Sequence, residues 1–192
     1  MMVLGELFLT ALAALAVENL FFTQGMGFAR VLHGAQKGRD IGLYALLLTG
    51  FSLLSSLLMI PLGNLLPTQE FVWLGLLGAA VMAACYLLAC LVLVTLCPGV
   101  YRKVRWCLAP AAINTVVFSL PFLGRLHQWN GWQAVGFALG TGLAFFLSTW
   151  LLTEMLPRLR SLDMPASFRG MPGVFLYLAI LALALLGFAR IS

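Results

Sequence analysis

Four polar side chains stand in stretches that otherwise suit lipid. Glu18 and Asn19 interrupt the apolar run Val17–Gly25, and Asn114 and Thr115 interrupt Ala111–Ser119. An amide or carboxyl group left unpaired in hydrocarbon is costly. Polar groups at that depth therefore face protein or a water-filled path, and they mark functional positions. Two readings of Glu18 follow. Its carboxylate faces a cavity and takes part in cation or proton passage, or helix one ends near Val17 and Glu18 sits at an interface or caps a half-helix. Asn19 and Asn114 can cap half-helix termini, because an asparagine side chain accepts from free backbone N–H groups. Together the four residues form the expected ion path, a polar site near the midplane.

Other chemistries find no support. The chain has no nucleophile–base pair, glycine-rich phosphate loop or carboxylate pair, so no catalytic residue is assigned. His33 and His127 fall in predicted loops, with no second ligand at metal spacing. Cys85, Cys90, Cys97 and Cys107 form no Cys-x-x-Cys pair. They read as small, reduced side chains, and their spacing supports neither a disulfide framework nor a metal site.

The elements that position the polar residues are read from composition. Of 192 residues, 62% are hydrophobic and 9% charged, against roughly 25% charged in soluble domains. This predicts one all-α, polytopic membrane domain. Six spans of the necessary length, about 20 apolar residues each, run from Met2 to Thr23, Ile41 to Leu62, Phe71 to Leu96, Val104 to Leu123, Trp132 to Leu156 and Pro172 to Ala189. Pro61 and Gly63 close the second, Cys97-Pro98-Gly99 ends the third, Asn130-Gly131 precedes the fifth and Pro157 ends it. The opening run reads as a retained helix: no Lys or Arg precedes it, and Glu6 sits where a leader needs positive charge.

The net charge of +5 is a topology signal, not a nucleic-acid footprint. Loop one carries Arg30, Lys37 and Arg39, loop three Arg102, Lys103 and Arg105, and loop five Arg158, Arg160 and Arg169. Only Arg125 and Arg190 lie on the other side. The positive-inside rule puts the odd loops in the cytoplasm and both termini outside.

The halves, about 1–97 and 98–192, echo each other. Asn19 matches Asn114, and Ala45–Phe51 matches Ala138–Leu143. Three spans per half invert the second unit, giving two inverted three-helix repeats with helices one and four broken, as in many transport proteins. Thr49, Ser52, Ser55, Ser56, Thr141, Ser148 and Thr149 read as helix–helix contacts. Gly50, Gly75, Gly78, Gly136, Gly140 and Gly142 read as points of close approach.

A family pattern also runs through the chain. Asp163-Met164-Pro165-Ala166-Ser167-Phe168-Arg169-Gly170, before the last apolar helix, resembles the Asp-x-Pro-x-x-Phe-Arg-Gly segment of the RnfA/NqrE family. Pro98-Gly99-Val100-Tyr101-Arg102, Pro110 and Ile113-Asn114 are similar to the series leading into that family's helix four. Val17-Glu18-Asn19-Leu20 is similar to its Val-Asn-Asn-Phe in helix one. The resemblance implies a six-helix bacterial inner-membrane subunit of an Rnf or Na+-translocating NADH:quinone reductase complex, paired with a homologous RnfE/NqrD-like subunit of opposite orientation. Such a pair holds a 2Fe–2S cluster with two cysteines from each partner, while the complex moves Na+ or H+. Here Thr115 stands at one cysteine position and Phe28 or Ala29 at the other. No cluster is therefore expected. The chain reads as a non-catalytic subunit of a translocase, supplying scaffold and ion path. The alternatives are a structural assembly subunit, or a cluster-free transporter of ions or small molecules.

Overall fold

A computed structural model describes residues 2–37, 40–64 and 71–189. Arg39 and Arg190, both used above to orient the chain, lie outside the described residues. Among the described residues the fold is all helical. The elements are α1 (Met2–Leu12), extended by a π-helical turn Ala13–Val17, then α2 (Phe28–Lys37), α3 (Ile41–Asn64) and α4 (Phe71–Leu96). They continue with α5 (Pro98–Ala112), α6 (Thr115–Leu126), α7 (Gly131–Leu159), a 3-10 turn Ala166–Phe168 and α8 (Met171–Ala189).

Among the described residues, three helices are long and apolar enough to cross a membrane: Ile41–Leu62, Val72–Leu96 and Gly131–Leu159. The pair α5 and α6, bent by 46°, makes up to four if counted as one broken span. Val3–Ala16 and Met171–Gly187 are apolar but shorter.

α7 is the helix around which the others gather. Its apolar window is 61% buried, against 39% for α3 and 17% for α4. Small residues let two neighbours approach it closely. On one side, Cβ atoms at Gly136 or Gly140 would run into Thr10, Leu7 and Ala11 of α1. On another, a Cβ at Gly142 would run into Thr49 of α3. Thr49 meets Gly142 while Tyr44 meets Phe145. Rising numbers on α3 thus meet falling numbers on α7, and the two run antiparallel. α3 also packs along α5 and α6, through Tyr44 to Pro110 and Ser55 to Val117, in parallel. α1 therefore packs on α7, and the α5–α6 pair on α3.

Several boundaries differ from expectation. Helix one stops at Val17 instead of Thr23, and residues 18–27 form a looped break. Loop three is not a loop: Arg102, Lys103 and Arg105 lie on α5. Pro98 at the first helical position starts that helix, since its fixed φ suits N1 and its missing N–H costs nothing there. Val104, Cys107, Leu108 and Ala111 form the buried face of α5. His33, Arg30 and Lys37, also expected in a loop, belong to α2, which buries Val31 and Ala35.

Proline ends neither α3 nor α7. Pro61 and Pro157 lie near the C-terminal ends, where each removes one hydrogen bond, and the helices run on to Asn64 and Leu159. Asn130 precedes α7 as expected and also caps it: it forms a capping box with Gln133, and its side chain donates to Glu6 Oε2 at 3.3 Å. Gly50 is no close-approach site, because nothing lies within 4 Å of a Cβ built there, and Gly75 and Gly78 make only ordinary contacts.

The close α1–α7 approach makes a direct prediction. Gly140→Val forces α1 outward and should cost about 1–3 kcal/mol, seen as a lowered thermal midpoint in detergent. Gly50→Ala should change stability by no more than about 0.5 kcal/mol. Equal midpoints for the two variants would remove glycine packing as the basis of the α1–α7 contact.

Candidate functional site: two capped breaks in contact

The chain breaks at the two asparagines, and each asparagine repairs its own break. A helix end leaves carbonyls and amides without partners, and in lipid there is no water to take them. At break one, Asn19 is 3% exposed. Its Nδ2 donates to Leu15 O, four residues back, at 2.9 Å. Its Oδ1 accepts from Phe21 N at 3.1 Å and Phe22 N at 3.2 Å. One side chain thus serves the carbonyl of the ending helix and the amides of the loop. The π-turn before it closes with Glu18 N donating to Ala13 O at 2.7 Å. Gly25 (φ 66°) and Gly27 (φ 67°) then turn the chain into α2, both in the left-handed region.

At break two the pattern recurs with one addition. Asn114 is extended (φ −127°, ψ 141°) and N-caps α6, its Oδ1 accepting from Val116 N at 3.2 Å. Its Nδ2 donates to Tyr44 Oη at 3.2 Å, and Tyr44 in turn donates to Pro110 O at 2.7 Å. Pro110 stands four residues before Asn114, as Leu15 does before Asn19. The same i−4 carbonyl is therefore satisfied in both breaks, directly in the first and through a tyrosine in the second.

The two breaks touch. Gly27 N donates to Thr115 Oγ1 at 3.0 Å. A Cβ at Gly27 would lie 2.8 Å from Val116 Cγ2, 3.1 Å from Asn114 Oδ1 and 3.2 Å from Phe21 Cε1. An aromatic run links them a second time: Phe21 meets Phe145 edge-on at 5.4 Å, and Phe145 meets Tyr44 at 4.9 Å. Phe145 is near the centre of α7, so the paired breaks lie level with the middle of the longest helix.

Of the four expected polar residues, Asn19 and Asn114 are buried caps, and Thr115 bridges the breaks while staying exposed. Glu18 lies just beyond the helix end, half-buried, and its carboxylate has no hydrogen bond among the described residues. Tyr44, Gly27 and Phe145 join the site without having been singled out in the sequence. A lone tyrosine in an apolar helix, whose hydroxyl needs a partner, and the Gly25-Met26-Gly27 spacing were the available signals.

The Asp163–Gly170 segment lies apart from this site, between α7 and α8. Pro165 precedes the 3-10 turn, which contains Phe168. Arg169 Nη2 donates to Leu162 O at 2.9 Å and Met164 O at 3.0 Å, and Gly170 (φ 81°) donates its N–H to Leu159 O. Asp163 is exposed. The segment clamps its own loop and starts α8.

No family model matches the chain. Individual relatives do. The A subunit of the proton-translocating ferredoxin:NAD(+) oxidoreductase complex of Clostridium ljungdahlii is 33% identical over 92 residues, 48% of each chain. The A subunit of the ion-translocating oxidoreductase complex of Tolumonas auensis is 33% identical over 91 residues, 47% of each. The equivalent subunit of Syntrophotalea carbinolica is 33% identical over 92 residues, 48% of each. The chain resembles RnfA. The match spans about half of this chain and about half the length of the curated relatives. It bears out the resemblance read from the sequence motifs.

The resemblance raises the question of an iron–sulfur cluster. Thr115, at one position where the resemblance places a cysteine, touches Gly27, which precedes the other, Phe28 or Ala29. The side chains there, a hydroxyl and either a phenyl ring or a methyl group, offer no thiolate and do not suit iron. Cys107, buried on α5, donates to Val104 O. The residues do not fit the cluster.

The cap at break two yields a double-mutant test. Tyr44→Phe leaves Pro110 O and the Asn114 amide short of a partner and should cost about 1–3 kcal/mol. Asn114→Ala should cost a similar amount. Because both act through one relay, the double variant should fall short of the sum by about 0.5–3 kcal/mol. Additive losses in thermal unfolding would show that no relay exists.

Proposed function

We propose that this chain is a membrane subunit of an Rnf-type complex that couples electron transfer to Na+ or H+ translocation, supplying scaffold and part of the ion path and carrying no cluster of its own. The observation that carries the reading is the contact between two asparagine-capped breaks in a chain similar to the A subunits of such complexes. Paired broken helices bring helix-end dipoles and a few polar side chains to one depth, the arrangement from which ion sites are built. Glu18, Asn19, Asn114 and Thr115 are the candidate ion-path residues. The hydroxyls of Ser52 and Ser56 on α3 and Ser148 on α7 are buried without partners among the described residues, further polar groups inside the helix packing.

The proposed architecture is two inverted three-helix repeats. α1, α3 and α4 form one, and the α5–α6 pair, α7 and α8 form the other. Matched i−4 caps at Asn19 and Asn114 support it, as do antiparallel α3 and α7 meeting where the echoed segments cross at Thr49 and Gly142. The clustering of basic residues on α2, at the start of α5 and at the end of α7 supports a cytoplasmic orientation of those segments, with both termini outside, in a bacterial inner membrane. A homologous RnfE/NqrD-like subunit is the proposed partner.

The lack of thiolates at the meeting point supports a second reading, a cluster-free transporter working without redox partners. One purification separates the two. Mild extraction from native membranes should yield the chain together with redox partners and a homologous subunit, and the isolated chain should hold no stoichiometric iron. Ion flux into liposomes from the chain alone, without an electron donor, would favour the transporter and sink the first reading. In the assembled complex, Glu18→Gln should lower coupled ion uptake about tenfold or more while leaving assembly intact. Unchanged uptake would reduce the chain to scaffold.

A further inference from the structure

A cavity of about 840 Å³ opens between α2, the start of α3, α5 and α7. Its floor includes Tyr44 and Pro110, and Phe145 lines it as well. Its walls carry Arg30, His33, Asp40 and Trp106. A single water needs only roughly 30 Å³, and small-molecule sites measure roughly 300–1,000 Å³. The space suits a molecule, not a lone ion.

The lining indicates which kind of molecule. Arg30 and His33 lie three residues apart on the exposed face of α2, while Val31 and Ala35 hold the opposite face in the core. Among the described residues, no side-chain hydrogen bond engages Arg30, His33 or Asp40. Trp106 is 51% exposed and directly follows the exposed Arg102, Lys103 and Arg105 on α5. An indole among basic side chains is the pattern of a membrane–water boundary, where headgroups lie. Basic pockets between membrane helices take phosphate headgroups, and a guanidinium matches phosphate oxygens two at a time. Asp40 adds a lone carboxylate, which a headgroup with an N–H or O–H donor can answer.

We propose that this cavity binds a phospholipid headgroup. Its phosphate lies at Arg30 and His33, its amine or hydroxyl end at Asp40, and its glycerol against Trp106 and Phe145. A monatomic cation fits poorly, because Arg30 opposes it. Phosphatidylethanolamine and phosphatidylglycerol offer the required donor, and phosphatidylcholine does not. Since Tyr44 both lines the cavity and holds Asn114, the inner end of the cavity reaches the relay that caps break two.

Native mass spectrometry of the full chain in detergent, mixed with each lipid, tests this. One phosphatidylethanolamine or phosphatidylglycerol per chain should survive activation that strips phosphatidylcholine. Replacing both Arg30→Gln and His33→Gln should cut retention about tenfold. Both residues are exposed, so the core is untouched. Arg30→Lys should restore part of the retention, and Arg102→Gln, outside the cavity, should leave it unchanged. Asp40→Asn, which tolerates the left-handed backbone there (φ 57°), should erase the preference over phosphatidylcholine. Inorganic phosphate at millimolar concentration should not displace the lipid. Displacement by phosphate, or phosphate bound with no lipid retained, assigns the cavity to a soluble anion and overturns the lipid. Equal retention in wild type and the Arg30/His33 double variant, or equal loss with Arg102→Gln, overturns the site altogether.

Discussion

Everything in this fold depends on how a broken helix satisfies its own peptide groups where water is absent. A break frees carbonyls on one side and amides on the other, and each unsatisfied group costs several kcal/mol in hydrocarbon, on the order of a whole domain's margin when summed. Asparagine is suited to this because its short side chain carries both a donor and an acceptor. Asn19 spans its break alone, with the π-turn bringing the chain round to Leu15 O. Asn114 reaches its i−4 carbonyl through Tyr44, so the second break borrows a residue of α3 and is tied to it. The difference makes break one local and break two dependent on tertiary packing.

The breaks could not meet without α7. Gly136 and Gly140 admit α1, Gly142 admits Thr49 of α3, and Phe145 packs between Phe21 and Tyr44. Three glycines and one phenyl ring thus set the spacing of the two asparagine caps. The polar meeting point, Gly27 against Thr115, follows from this packing and adds one hydrogen bond to it.

Much of this was legible in the sequence. The apolar runs and their polar interruptions located the long helices and both breaks, because hydropathy and an isolated Asn report directly on cost in lipid. The glycines of α7 were legible for the same reason, since small residues at i, i+4 spacing have few other uses in an apolar helix. What was hidden lay in amphipathic pieces. α2 and α5 carry basic residues opposite a buried face, and a count of charges reads them as loops, whereas burial of Val31, Val104 or Cys107 shows only in three dimensions. Helix ends at prolines were misjudged because proline near a C-terminus removes one bond and does not stop the chain. Tyr44 and Phe145 were unremarked among many aromatics. Their importance comes from which neighbours they reach, and spacing along one helix does not encode that. The Asp163–Gly170 segment shows the reverse case, a recognisable pattern whose local geometry, a self-clamped loop, places it away from the breaks.

The hub position of α7 has a further consequence for how the molecule is made. α1, α2 and α3 leave the ribosome well before α7, yet the surfaces that hold them belong to it. Until Gly136–Phe145 arrives, α1 has no groove to enter, and Phe21 and Tyr44 have no ring between them. The early half therefore waits in the bilayer, with the first break repaired by Asn19 alone and the second not yet built. A break that closes on its own side chain is the one suited to that interval, and it is the one synthesised first.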